Sequence, residues 1–290
     1  MIELGFEHTI LLRGIFAFSA IHKASFLLPA QRQDLLQQAD LHISQALEPF
    51  RRHIENPNDE EAVPMFVFSA ILLTYNFGSV QEKPESPLQS AHHCLMLLNG
   101  IRVAIGPNWN RLIDSPALAG MFETSSLDAG KQLDMLSRGD ERPEILRLVQ
   151  LTELMLDAQD KTACTESIKE LHTVAIRVRH VPMDQDEYPV LFVWAMVTTK
   201  HFFNLLASRN PVACIITTHF FALFAQARPV WWIEKWPGWV LAHTEQLLAA
   251  TPDLLEWLLW PRNAILSAPS KTTPVPIPAW QSPLPATCGA

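Results

Sequence analysis

Three observations predict an all-α protein. Hydrophobic residues recur at helical spacing along most of the chain. No stretch alternates apolar and polar residues as a half-buried strand does. Glycine is scarce, ten in 290 residues, which disfavours turn-rich β architectures. The expected architecture is a single helical domain of about ten helices around an apolar pocket, residues 1–262, with an extended proline-rich tail over 263–290.

The elements follow in order. Leu11, Ile15, Phe18 and His22 are spaced by four, three and four, one face of a first helix. A second runs from about Ala30 to Ile54, with Ile43, Leu47, Phe50 and Ile54 on the same rhythm, and Asn56-Pro57-Asn58 stops it. Asp59, Glu60 and Glu61 then place negative charge where a helix N-terminus favours it. The third helix, Val63 to Gly78, is apolar on nearly every side, so it should cross the middle of the fold. Another spans Leu88 to Ile105 and ends at Gly106-Pro107-Asn108, and residues 108–140 read as short helical pieces and loops. Periodicity returns over Pro143–Gln159 and Thr162–Val178, and Asp184-Gln185-Asp186-Glu187 reads as a cap with an acidic first turn. Tyr188–Ala207 and Pro211–Ala225 are two mostly apolar helices. A tryptophan-rich helix, Val230–Ala249, and a short one, Pro252–Trp260, complete the body. From Pro261 the composition turns to Pro, Ser and Thr, which favours extended chain.

Composition narrows the function classes. The chain is 48% hydrophobic and 18% charged, which argues for a packed core and against disorder. With 22 basic and 30 acidic residues the net charge is −8, a sign that repels phosphate backbones, so direct nucleic-acid binding is not expected. The four cysteines, Cys94, Cys164, Cys214 and Cys288, form no CxxC or metal-spaced pair, and no disulfide framework is recognisable. No apolar run reaches about eighteen residues, so no membrane span is expected. The N-terminus carries Glu3, Glu7 and Arg13 and does not read as a secretory signal, so the expected compartment is cytoplasmic, or nuclear for a regulator. No glycine-rich phosphate loop, HExxH or GxSxG motif occurs, and neither a cofactor nor a metal is expected.

Two features suggest a site. Six of the nine tryptophans lie between positions 231 and 260, where aromatic rings either pack the core or line an apolar cavity. Polar residues also interrupt apolar helices: Tyr75-Asn76 near the end of the third helix, His201 and Asn204 after Trp194, and Thr217, Thr218 and His219. Each either bonds a neighbouring helix carbonyl or points at a ligand, because an unpaired buried polar group costs about 1–3 kcal/mol.

Several segments together resemble one family. LLRGIFAFSAIHKA (11–24) and ADLHISQALEPFRRHI (39–54) resemble the opening helices of the C-terminal regulatory domain of fungal zinc-cluster transcription regulators, of the sterol-uptake-control type. NDEEAVPMFVFSAILLTYNFGS (58–79) is similar to its buried central helix, and LLNGIRVAI (97–105) with SPALA (115–119) to its next block. SRNPVACIITTHFFALF (208–224), WWIEKWPGWVLAHTEQLL (231–248) and EWLLWPR (256–262) follow in the same order. The resemblance implies an all-helical domain with a deep apolar pocket for sterols or other lipids. DNA binding in that family belongs to a separate six-cysteine cluster, which this sequence lacks, and it does not carry over.

The expected function is therefore a stand-alone protein that binds an apolar small molecule, a terpenoid, sterol or polyketide. The leading expectation is a cofactor-free cyclase or pericyclase of Diels-Alder type, or an isomerase, in fungal secondary metabolism. Shaping a flexible substrate and polarising a carbonyl are enough to accelerate ring closure. The alternative is a lipid- or sterol-sensing regulator domain, or a co-regulator, that binds without turnover. His219, Asn76 and Tyr75 are the expected catalytic donors. Trp194, His201, Trp231, Trp239 and Phe77 are the expected ligand contacts, and a homodimer is an expected assembly.

Overall fold

The computed structural model describes residues 2–55, 61–105, 141–181 and 187–268, and every described element is helical. The expectations placed on 56–60, 106–140, 184–186 and 269–290 lie outside the described residues.

A short helix α1 (Ile2–Glu7) precedes α2 (Thr9–Ser25), and α3 (Pro29–Glu55) returns along α2 as a long antiparallel partner. The α4 helix (Ala62–Gly78) starts and ends within a residue of expectation, and twelve of its seventeen residues are buried. It packs on α2 on one side and on α5 (Pro87–Ile105) on the other. Two turns, α6 (Pro143–Leu146) and α7 (Val149–Thr152), lead into α8 (Ala158–Arg179). The expected single stretch over Pro143–Gln159 is broken here. Asp157 takes an extended conformation, and its carboxylate accepts from the Gln159 and Asp160 amides at 2.8 and 2.9 Å, starting a new helix.

The helix expected over Tyr188–Ala207 is also two: α9 (Tyr188–Val197) and α10 (Lys200–Ala207), bent by 91°. Thr198 is extended and Thr199 caps α10 by accepting the Phe202 amide at 3.3 Å. Two β-branched residues in succession, the second a good N-cap, make the break cheap. The α11 helix (Pro211–Gln226) begins at an Asn210 cap and is buried from Val212 through Phe224. After a turn over 231–235 come α12 (Trp236–Leu248), a 3₁₀ segment (Pro252–Leu258) and α13 (Leu259–Leu266). The boundary expected at 262 thus falls inside a helix. Pro261 sits in the first turn of α13, where its missing N–H has no intrahelical acceptor to lose.

The core forms two clusters. One unites α2, α3 and α4 through Leu11, Ile43, Phe50, Phe68, Ile71 and Tyr75. The other gathers α5 and the later helices around Trp194, Phe202, Phe220, Phe221 and Trp236. The α4 helix belongs to both: Leu73 and Phe77 enter the second cluster, while Leu72 and Tyr75 stay in the first. Phe18 and Trp231 pack against both. No single described helix is long and apolar enough to cross a membrane.

Two close approaches depend on glycine. At Gly14 a Cβ would lie 3.1 Å from Ile71 Cγ2 and 3.2 Å from the Phe68 ring, so α2 and α4 touch there without a side chain between them. At Gly78 it would lie 3.0 Å from both Trp231 Cη2 and Trp232 Cβ. Gly238 has open space around it. Urea unfolding should show Gly14→Ala and Gly78→Ala each losing about 1–3 kcal/mol through overpacking. Gly238→Ala should gain up to about 0.5–1 kcal/mol, as expected for an unobstructed helical glycine.

Candidate functional site: a tryptophan cleft at the end of the central helix

Pro229 and Pro237 bracket the tryptophan pair. The chain leaves α11 in extended conformation at Ala227 and turns over 231–235, with the Ile233 and Glu234 amides donating to the Val230 carbonyl at 3.1 and 3.0 Å. Only at Trp236 does α12 begin, with Pro237 in its first turn. The helix expected from Val230 therefore starts six residues later, and Trp231 and Trp232 lie on a turn rather than on a helix.

That turn is seated on the end of α4. Trp236, 1% exposed, donates its indole N–H to the Phe77 carbonyl at 3.1 Å, and its ring meets Phe77 edge-on at 5.0 Å. The missing Cβ of Gly78 lets Trp231 and Trp232 close against the α4 backbone. Their rings then part. Trp232 turns inward to stack on Phe192 at 6.0 Å and contact Tyr188 at 5.4 Å. Trp231 turns toward α2, stacking on His22 at 4.7 Å and tilting against Phe18 at 5.3 Å. Trp239 lies one turn into α12 and meets Trp236 at 5.7 Å.

Between these rings and the end of α2 lies a half-open cleft of about 150 Å³. Trp231, Trp232, Trp236 and Trp239 line it, together with Phe26, Gly78, Val80 and Gln81. Phe26 is 69% exposed, so the cleft continues into an aromatic lip at the surface. Its polar groups are Ser25, Gln81, Glu234 and Lys235, and the Lys235 ammonium donates to the Gln81 carbonyl at 3.3 Å. On the other side of the turn, Glu234, Lys235 and Pro237 also border a wider groove of about 330 Å³, lined by Tyr188, Phe224 and Ile265.

Of the residues singled out from sequence, Trp231 and Trp239 line the cleft, and Phe77 stands behind it, its carbonyl holding Trp236. The others lie elsewhere. Tyr75 donates to the Asp40 carboxylate at 2.5 Å, across to α3, and burial together with Asp40 pushes its phenol well above the usual range. Asn76 donates to the Leu72 carbonyl of its own helix at 2.6 Å. Trp194 is fully buried, donates to the Ser167 carbonyl at 2.9 Å and stacks on Phe220 at 4.3 Å. His201, half-buried, pairs with Asp160 at 2.6 Å and ties α10 to α8.

His219 is 1% exposed; its Nδ1–H donates to the Ile215 carbonyl at 2.9 Å, and its ring stacks on Trp260 at 5.4 Å. Burial, with a smaller contribution from Arg147, pushes its pKa down to about 4, so the ring is neutral at pH 7. Nearby, His172 Nε2 accepts the Arg142 amide at 3.1 Å, and burial lowers its pKa as well. His219, Asn76 and Tyr75 thus each hold a hydrogen-bond partner within the protein, and none of them lines the cleft. Trp232 and Trp236, which the sequence offered only as members of the tryptophan cluster, also line the cleft, whereas Phe26, Gly78, Gln81 and Lys235 escaped the sequence reading; for Gly78 the signal was a glycine ending an apolar helix.

The buried thiols of Cys94, Cys164 and Cys214 are each raised to about 12 by burial, which keeps them protonated and poor nucleophiles at neutral pH. Among the described residues no three His, Cys, Asp or Glu side chains come together as a metal site. No protein-family model, curated protein or solved structure matches the chain.

Buried neutral imidazole gives stability a definite pH dependence. The unfolded chain protonates His219 below about pH 6.5 and the folded chain only below about 4, so the unfolded state binds more protons in between. Stability should therefore fall as pH drops from about 6.5 to 4, by on the order of 3 kcal/mol for this group. His172 acts in the same direction. Urea midpoints measured across that window should fall less steeply for His219→Gln than for the native chain.

Proposed function

We propose that the protein binds an apolar, ring-bearing small molecule, of terpenoid, sterol or polyketide type, in the tryptophan cleft. The observation that carries this reading is the convergence of four indoles and the exposed Phe26 on one half-open cleft, with four polar side chains in its lining. Flat aromatic walls give an apolar ligand large contact area, and a few polar groups set its orientation. The cleft is smaller than the ~300–1,000 Å³ of sites that enclose a drug-sized molecule. It therefore takes the ring end of the ligand, with the remainder lying over Phe26.

Binding is preferred to ring closure. The donors expected for cyclisation, His219, Asn76 and Tyr75, are engaged by Ile215, Leu72 and Asp40, away from the cleft. This reading is the part shared by the two sequence-based expectations, the cyclase and the lipid sensor, since either requires an apolar ligand site.

The test is quenching of intrinsic tryptophan fluorescence by ergosterol and by farnesol, titrated in parallel. Saturable quenching is expected with at least one of them. Trp239→Ala should weaken it at least tenfold, about 1.4 kcal/mol. Trp257→Ala, which removes a ring lying under Arg147, should leave the affinity unchanged. Equal affinity in the Trp239→Ala chain would contradict the reading.

A further inference from the structure

A second cleft lies at the opposite end of the first core cluster, and no part of the tryptophan site reaches it. It has a volume of about 250 Å³ and is bordered by the start of α2, the second half of α3 and the start of α4. Ile10, Pro49, Pro64 and Met65 give it an apolar floor. Gln45, Pro49 and His53 come from α3 at intervals of four, so one face of that helix forms a wall.

Charge of both signs stands at its edge. Arg13 donates to the Gln45 side-chain oxygen and has no carboxylate partner among the described residues. Glu7 likewise has no cationic partner there. His53 Nδ1 and the Glu61 carboxylate contact each other, linking α3 to the residue that precedes α4, and both border the cleft. Pro49 sits inside α3 and carries no N–H, so the Gln45 carbonyl lacks its helical donor and remains an acceptor at the same wall. The cleft thus presents a guanidinium for a carboxylate, a carboxylate and a carbonyl for an ammonium, and apolar side chains in the same lining.

We propose that this cleft binds a small zwitterion, an α-amino acid with an apolar side chain. The carboxylate of the ligand meets Arg13, its ammonium meets Glu7 and the Gln45 carbonyl, and its side chain lies on Pro64 and Met65. The volume suits one such molecule and is below the usual range for a nucleotide-sized cofactor.

The experiment is thermal unfolding of the full chain with each of the twenty amino acids, followed by a dissection with three probes. These are leucine, 4-methylpentanoate, which lacks the amine, and 3-methylbutylamine, which lacks the carboxylate. Leucine or another apolar amino acid should raise the midpoint saturably, and the two half-ligands should not do so at the same concentration. Arg13→Gln and Glu7→Gln should each weaken the apparent affinity at least tenfold. Glu7 is exposed, so its variant carries the test if the Arg13 change impairs folding. No saturable shift with any amino acid would overturn the proposal. So would 4-methylpentanoate matching leucine, which would identify a simple carboxylate site.

Discussion

The seating of the 231–235 turn on the last turn of α4 is the contact on which the rest of the arrangement depends. A hydrogen bond from the Trp236 indole to the Phe77 carbonyl fixes the start of α12, and the bare backbone of Gly78 lets two further indoles close on the same spot. A carbonyl near a helix C-terminus lacks an intrahelical donor, so an indole N–H from another element satisfies it at little cost. Buried indoles need an acceptor for the same reason. One bond thus settles two polar groups that would otherwise be stranded in an apolar core.

This seat also joins the two halves of the core. The α4 helix sends Leu72 and Tyr75 into one cluster and Leu73 and Phe77 into the other, and Trp231 packs against both. The cleft lies where they meet, because the turn cannot fill the space between α2 and α12 once Trp231 and Trp232 have diverged. Its aromatic lining follows from its position: the same rings that weld the clusters leave faces or edges exposed at the junction.

Much of the fold was legible in the spacing of apolar residues. The bounds of α4, α5 and α11 match the periodicity to within about a residue, because each is bounded by proline or glycine. The break between α9 and α10 was hidden, since Thr198 and Thr199 interrupt no apolar period and act only through capping. The start of α12 was hidden too. Pro237 marks it, but the apolar residues at 230–233 continue the pattern backwards through the turn. The short helix α1 adds a packing layer on α2 that the charged N-terminus did not suggest.

The candidate site was less legible, and for a single reason. While Tyr75 and His201 pair with carboxylates on neighbouring helices, three of the polar residues that drew attention inside apolar helices satisfy themselves on the carbonyl four residues earlier. Asn76 does so on Leu72, Thr218 on Cys214 and His219 on Ile215, and the same bond recurs elsewhere in the fold, from Thr198 to Trp194 and from Thr244 to Val240. Such bonds require no tertiary partner, so polarity within an apolar helix carries little information about a ligand. The density of tryptophan was the better guide. The central claim is tested most directly by incubating the native chain and the Trp239→Ala chain with an apolar extract of the source organism, recovering each protein and analysing what it carries by mass spectrometry. The account predicts a compound retained by the native chain, released at its original mass and retention time, and missing from the variant. Equal retention by both chains, or retention by neither, would contradict it.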